Sequence, residues 1–150
     1  VAVERTRVFL DASVLVAAAR SPSGGSALAL EVCGGRRFRG LVTTRVLLEA
    51  RVNIAEKFGA AELVRFYEQL AALEPEVASA PSVASPAQAA ALTSEKDAHV
   101  LAAALECGAG YLLTLDRRRL LTNAVRSAQL PIKVTTPGGF LREVAATAAA

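Results

Sequence analysis

Residues 97–116, DAHVLAAALECGAGYLLTLD, decide the fold class. An Ala-rich helix, a glycine stop and a short apolar strand follow one another directly, with an aspartate at each end. Upstream, the helix pattern starts at TSEK, where Ser94 is a candidate N-cap. Downstream, RRRLL (117–121) is expected to be a short basic helix, followed by a strand at 132–135 and a terminal helix in PGGFLREVAATAAA.

The same alternation runs back to the start of the chain. RVFLD (7–11) reads as a buried strand, and ASVLVAAAR as the helix after it, stopped by SPSGG. A helix over 25–33 ends at Gly34-Gly35, and FRGLVTT (38–44) is the next strand. From Arg45 to Phe58, Val46, Leu47, Val52, Ala55 and Phe58 fall at helical spacing. Gly59 separates that helix from a second one over 60–73. Residues 74–86 hold three of the six prolines and are irregular, with one short strand expected at 76–78. Short apolar strands alternating with helices imply βαβ units and a mostly parallel sheet. Ligands of such sheets bind outside the carboxyl ends of the strands.

Length and composition fit one domain of 150 residues and 15.6 kDa; 53% of residues are hydrophobic and 21% charged, which excludes a disordered or polybasic tail. No apolar run approaches the roughly 18 residues of a membrane span. No secretory leader is visible, so the expected compartment is the cytoplasm. Cys33 and Cys107 lie in helical patterns, too few for a disulfide scaffold or, with the single His99, for a zinc site. Fourteen Arg and three Lys against eleven Glu and three Asp leave a net charge of +3, which is compatible with a polyanionic partner.

Asp11, Asp97 and Asp116 are the chain's only aspartates, and all three map to the carboxyl rim of the expected sheet. Each has a plain structural alternative: Asp11 as a helix cap, Asp97 in a capping box with Ser94, Asp116 in a turn. Glu49 is the fourth candidate, because it borders the apolar stripe of the helix after the second strand. Clustered carboxylates repel unless a cation sits among them. An all-oxygen set suits Mg²⁺ or Mn²⁺, one or two ions. Ser13 and Thr114 are candidate supports, bonding to Asp11, to a bound water or to backbone groups. Arg45, Arg51, Arg117 and Arg118 are candidate phosphate ligands, with Arg119 beside them. His99 has no catalytic constellation around it, and packing or solvent contact is expected.

The blocks FLDASVLVAA, VTTRVLLEA, EKDAHVLAAALECGAGYLLTLD and LPIKVTTPGGFL, in this order, resemble PIN-domain proteins, which include the VapC-like toxins of prokaryotic toxin–antitoxin pairs. The resemblance covers nearly the whole chain, 1–150, as one domain with a helical arm at about 45–73. It implies a three-layer α/β/α fold with a five-stranded parallel sheet in the order 3-2-1-4-5. It also implies that Asp11, Glu49, Asp97 and Asp116 form the acidic centre of a Mg²⁺- or Mn²⁺-dependent ribonuclease. A homodimer is expected, with Phe66 and Tyr67 marking a candidate partner face, and an antitoxin protein that reaches into the site is a second expected partner. Ala12 departs from the family's frequent Thr, and the segment before Asp97 lacks the further acids of many relatives, with Glu95 a substitute. A haloacid-dehalogenase-like phosphatase requires an aspartate where Ser13 stands, and a receiver domain requires an acidic pair that this chain lacks. A catalytically inactive RNA-binding or antitoxin-binding module is the alternative within the same fold.

Overall fold

The computed structural model describes residues 4–80 and 95–149, and side chains for residues 4–80 and 98–148. Its elements run β1 (Thr6–Leu10), α1 (Ala12–Arg20), α2 (Gly25–Cys33), β2 (Phe38–Thr43), α3 (Thr44–Lys57), α4 (Ala60–Leu73) and β3 (Glu76–Ala78), then α5 (Glu95–Glu106), β4 (Tyr111–Leu113), α6 (Asn123–Ser127), β5 (Lys133–Thr135) and α7 (Pro137–Ala149). The five strands form one sheet in the order β3-β2-β1-β4-β5, every pair parallel. Helices cover both faces, giving the expected three layers.

The three inner strands are apolar without alternation because both of their faces are covered. Val8, Phe9, Leu10, Leu41, Val42, Leu112 and Leu113 are all fully buried. The edge strands are three residues each and carry charge, which discourages pairing with another chain. Glu76 of β3 bonds to Arg7 at 2.6 Å, and Lys133 of β5 to Glu143 of α7 at 2.9 Å.

Helix α5 is buried nearly all round, through Ala98, Val100, Leu101, Ala102, Ala103 and Ala104. On the other helical layer, α3 buries Val46, Ala50 and Ile54, an i, i+4, i+8 stripe. Val52 and Ala55, expected on that stripe, are exposed instead. Helix α4 is tied to α1 by side chains that answer the orphan carbonyls of α1's last turn. Arg65 donates to Ala19 O at 2.6 Å and Gln69 to Ala18 O at 2.8 Å. Phe66 is buried in this packing, so only Tyr67 of the expected aromatic pair faces outward.

The RRRLL segment is a turn and not a helix. Asp116 explains it: its Oδ1 accepts from the Arg118 and Arg119 amides, while its carbonyl accepts from those of Leu120 and Leu121. The chain therefore closes on Asp116, and the helix starts later, at Asn123, under a Thr122 cap. Both cysteines are free; Cys33 is buried and its thiol is pushed up to about 12 by burial. Burial also raises the half-buried Cys107 thiol. Among the described residues, no helix is long and apolar enough to cross a membrane.

Candidate active site

At the carboxyl rim, sheet register aligns the residues that end each strand. Phe9 pairs with Leu41 and Thr43 with Ala78, so Asp11, Thr43 and Ala78 continue one row across β1, β2 and β3. On the other side, Asp11 N donates to Leu113 O at 3.0 Å, which brings Thr114 beside it.

Asp11 is almost fully buried and caps α1, with Oδ1 accepting from Ala12 N at 2.8 Å. Its Oδ2 accepts from two hydroxyls, Ser13 Oγ at 2.9 Å and Thr114 Oγ1 at 2.7 Å. Each hydroxyl in turn accepts a backbone amide from the segment after β4: Ser13 from Leu115 N and Thr114 from Asp116 N, both at 3.0 Å. The two hydroxyls thus bridge the carboxylate of the first strand to the loop that presents Asp116. Asp116 lies three residues beyond the end of β4 and is positioned by this bridge and by its own turn.

Asp11, Glu49 and Asp116 line one open cleft of about 280 Å³, together with Ala12, Ser13, Val16, Asn53, Lys57 and Arg119. Asn53 and Lys57 were not among the sequence candidates, yet a signal was there. Glu49, Asn53 and Lys57 are spaced i, i+4, i+8 and share one face of α3, next to the buried stripe. Of the arginine run, Arg119 lines the cleft, while Arg117 and Arg118 are exposed outside its lining. Arg51 is exposed on α3, and Arg45 lines a different cleft with His99. Asp97 is the third residue of α5, and its side chain lies outside the described residues, as does Ser94. Glu95's side chain does too.

Three carboxylates and the Asn53 carboxamide make the cleft's donor set one of hard oxygens, without Cys or His. That chemistry fits Mg²⁺ or Mn²⁺. Among the described residues, no three His, Cys, Asp or Glu side chains are gathered tightly enough to form a metal-binding cluster. Lys57 and Arg119 place two positive charges against the three carboxylates, leaving the described lining with a net negative charge.

A family model for the PIN domain matches residues 7–118, roughly three quarters of the chain. The chain belongs to the PIN domain family. The match runs from β1 to the turn after Asp116, so Asp11, Glu49 and Asp116 of this PIN domain all lie within it, and Arg119 falls one residue beyond. A search of curated proteins found no match to the chain.

Proposed function

We propose that this PIN domain is a metal-dependent endoribonuclease that hydrolyses RNA phosphodiester bonds, acting as the toxin of a toxin–antitoxin pair. The observation that carries the nuclease reading is the meeting of Asp11, Glu49 and Asp116, far apart in sequence, in one cleft at the carboxyl rim. In this reading those three, joined by Asp97, would hold one or two Mg²⁺ or Mn²⁺ ions. When bound, such an ion supplies acidification of a water and neutralisation of phosphate charge.

The chain's own groups divide the remaining work. Ser13 and Thr114 hold the Asp11 carboxylate in one orientation, so it need not reorganise when substrate enters. Thr114 also holds the Asp116 amide, which keeps the two aspartates in fixed relation. Lys57 and Arg119 are the cations among the described residues of the lining and are suited to non-bridging phosphate oxygens, with Arg119 able to present a planar fork. The toxin role, the antitoxin partner, the homodimer and a cytoplasmic setting rest on the sequence resemblance. Tyr67 and Val64 on α4 and Leu48 and Val52 on α3 supply exposed apolar side chains for such partners.

The test is cleavage of single-stranded RNA in Mn²⁺, in EDTA, and by a Glu49→Gln variant. Cleavage is expected in Mn²⁺ alone and falls about hundredfold or more in the variant. Cleavage that survives both chelation and the substitution would overturn the assignment.

A further inference from the structure

A second cleft opens on the same rim, and the carboxylate chemistry does not use it. It has a volume of about 270 Å³ and is lined by Thr43, Thr44, Arg45, Ala78, Ser79, Ala80 and His99. Its lining includes the Thr43–Ala78 pair of β2 and β3, which continues the row begun by Asp11. Neighbouring strands are about 4.8 Å apart, so this pair lies one to two strand spacings, roughly 5–10 Å, from the Asp11 strand end. That offset is about the run of one nucleotide along a single strand.

Among the described residues, the lining of this cleft is opposite in sign to its neighbour's. None of the described residues lining it is acidic, whereas the first cleft carries three carboxylates. Arg45, on the first turn of α3, supplies a guanidinium, and His99, half-buried on α5, supplies an aromatic ring. Thr44 and Ser79 add hydroxyls that can meet a ribose 2′-OH. Phosphate is taken by Arg, and unstacked RNA bases lie against His rings and Arg planes.

We propose that the Arg45–His99 cleft is a subsite for the nucleotide adjacent to the one cut, with Arg45 taking its phosphate and His99 its base. This inference rests on the reading of the chain as a ribonuclease. It gives the RNA a path along the rim, from the carboxylates over β1 toward β3, and it favours single strands because a paired base cannot reach the His99 ring.

The experiment measures binding of a fluorescein-labelled single-stranded oligouridine to the full chain by anisotropy, in EDTA, across a salt series. Arg45→Gln and His99→Ala are compared with wild type and with Arg36→Gln, an exposed arginine before β2 at the opposite rim. Arg45→Gln is expected to weaken binding about tenfold and to reduce the slope of log K against log salt by about 0.7, one phosphate contact on a single strand. His99→Ala is expected to weaken binding about tenfold with the slope retained, as loss of stacking does. Arg45 is exposed, so its variant tests the subsite even where His99→Ala proves unstable. Affinity and slope in Arg45→Gln equal to those of Arg36→Gln overturn the subsite. RNA cleavage by wild type in Mn²⁺, measured alongside, separates the two claims. Cleavage with no Arg45 effect sinks the subsite alone, and an Arg45-dependent slope without cleavage upholds nucleic-acid binding at this cleft but sinks the nuclease reading and, with it, the cleft's place beside a cut nucleotide.

Discussion

Replacing Asp11 by Asn changes one charge and almost no volume, and the structure sets what that costs. The carboxylate accepts hydrogen bonds from Ala12 N at 2.8 Å, Ser13 Oγ at 2.9 Å and Thr114 Oγ1 at 2.7 Å. Bonds to a charged acceptor are worth about 1.5–3 kcal/mol and neutral ones about 0.5–1.5, so neutralisation forfeits about 1 kcal/mol per bond. Two effects offset part of that loss of about 3 kcal/mol. The new amide can donate to both hydroxyls, and repulsion from Glu49 and Asp116 is relieved. The net cost without metal is then about 1–2 kcal/mol, a fall in Tm of roughly 2–8 °C for a chain of this length. Saturating Mn²⁺ widens the gap. At a hundred times its Kd, an ion stabilises the wild type by about 2.7 kcal/mol, and the variant gains little of this. Urea unfolding of both proteins in EDTA and in Mn²⁺ should show the difference growing to about 4 kcal/mol. Equal Mn²⁺ stabilisation of wild type and Asp11→Asn would refute the reasoning, because the ion would then be bound elsewhere.

Thr114→Val keeps the shape of a fully buried side chain but strips Asp11 of one donor and the Asp116 amide of its acceptor. It should cost about 2–3 kcal/mol in urea unfolding, and a cost under about 0.5 kcal/mol would contradict the bridging role. The Cys33 thiol, raised from 9.0 to about 12, gives a pH signature. Below pH 9 the thiol is neutral in both states and has no effect; above it the unfolded chain loses the proton first. Stability should therefore fall by about 1.4 kcal/mol per pH unit from about pH 9 toward 12. Cys33→Ala should lack that contribution when the two are unfolded side by side. Phe140 anchors α7 edge-on against Phe38 and Tyr111, each at 5.1 Å between ring centroids. Phe140→Ala should cost about 3–5 kcal/mol by calorimetry or urea, and a cost below about 1 kcal/mol would mean that α7 is not docked as described.

The fold was legible because its inner strands are apolar runs and its helices end in glycine or at a polar cap. The 60–73 helix and the 25–33 helix match their observed bounds, and the weak strand at 76–78 exists because β2 offers it a partner. The segment after β4 departs from its sequence expectation for a definite reason. RRRLL has good helix formers, but the Asp116 carboxylate and carbonyl capture the amides of Arg118, Arg119, Leu120 and Leu121 and close a turn. Local propensity does not register a side chain competing for the backbone. In the candidate site, Asp11, Glu49 and Asp116 could be named from strand ends and helix starts. Asn53 and Lys57 do not stand out in the sequence because the apolar stripe of α3 dominates its pattern and their polar face lies one residue to its side. The choice of Arg119 over Arg117 and Arg118 depends on the turn geometry, which the run of three arginines does not encode. His99 and Arg45 share a cleft only because α5 and α3 meet the rim together, a relation set by the crossover of the sheet and not by spacing in the chain.

The central claim is that the carboxylates at the carboxyl rim share a divalent cation. Crystals soaked in Mn²⁺ and measured near the manganese absorption edge test it directly. An anomalous peak is expected in the cleft lined by Asp11, Glu49 and Asp116, at carboxylate-oxygen distance, and is lost in Asp11→Asn. A cleft without a peak, with the Lys57 ammonium seated among the carboxylates instead, would contradict it.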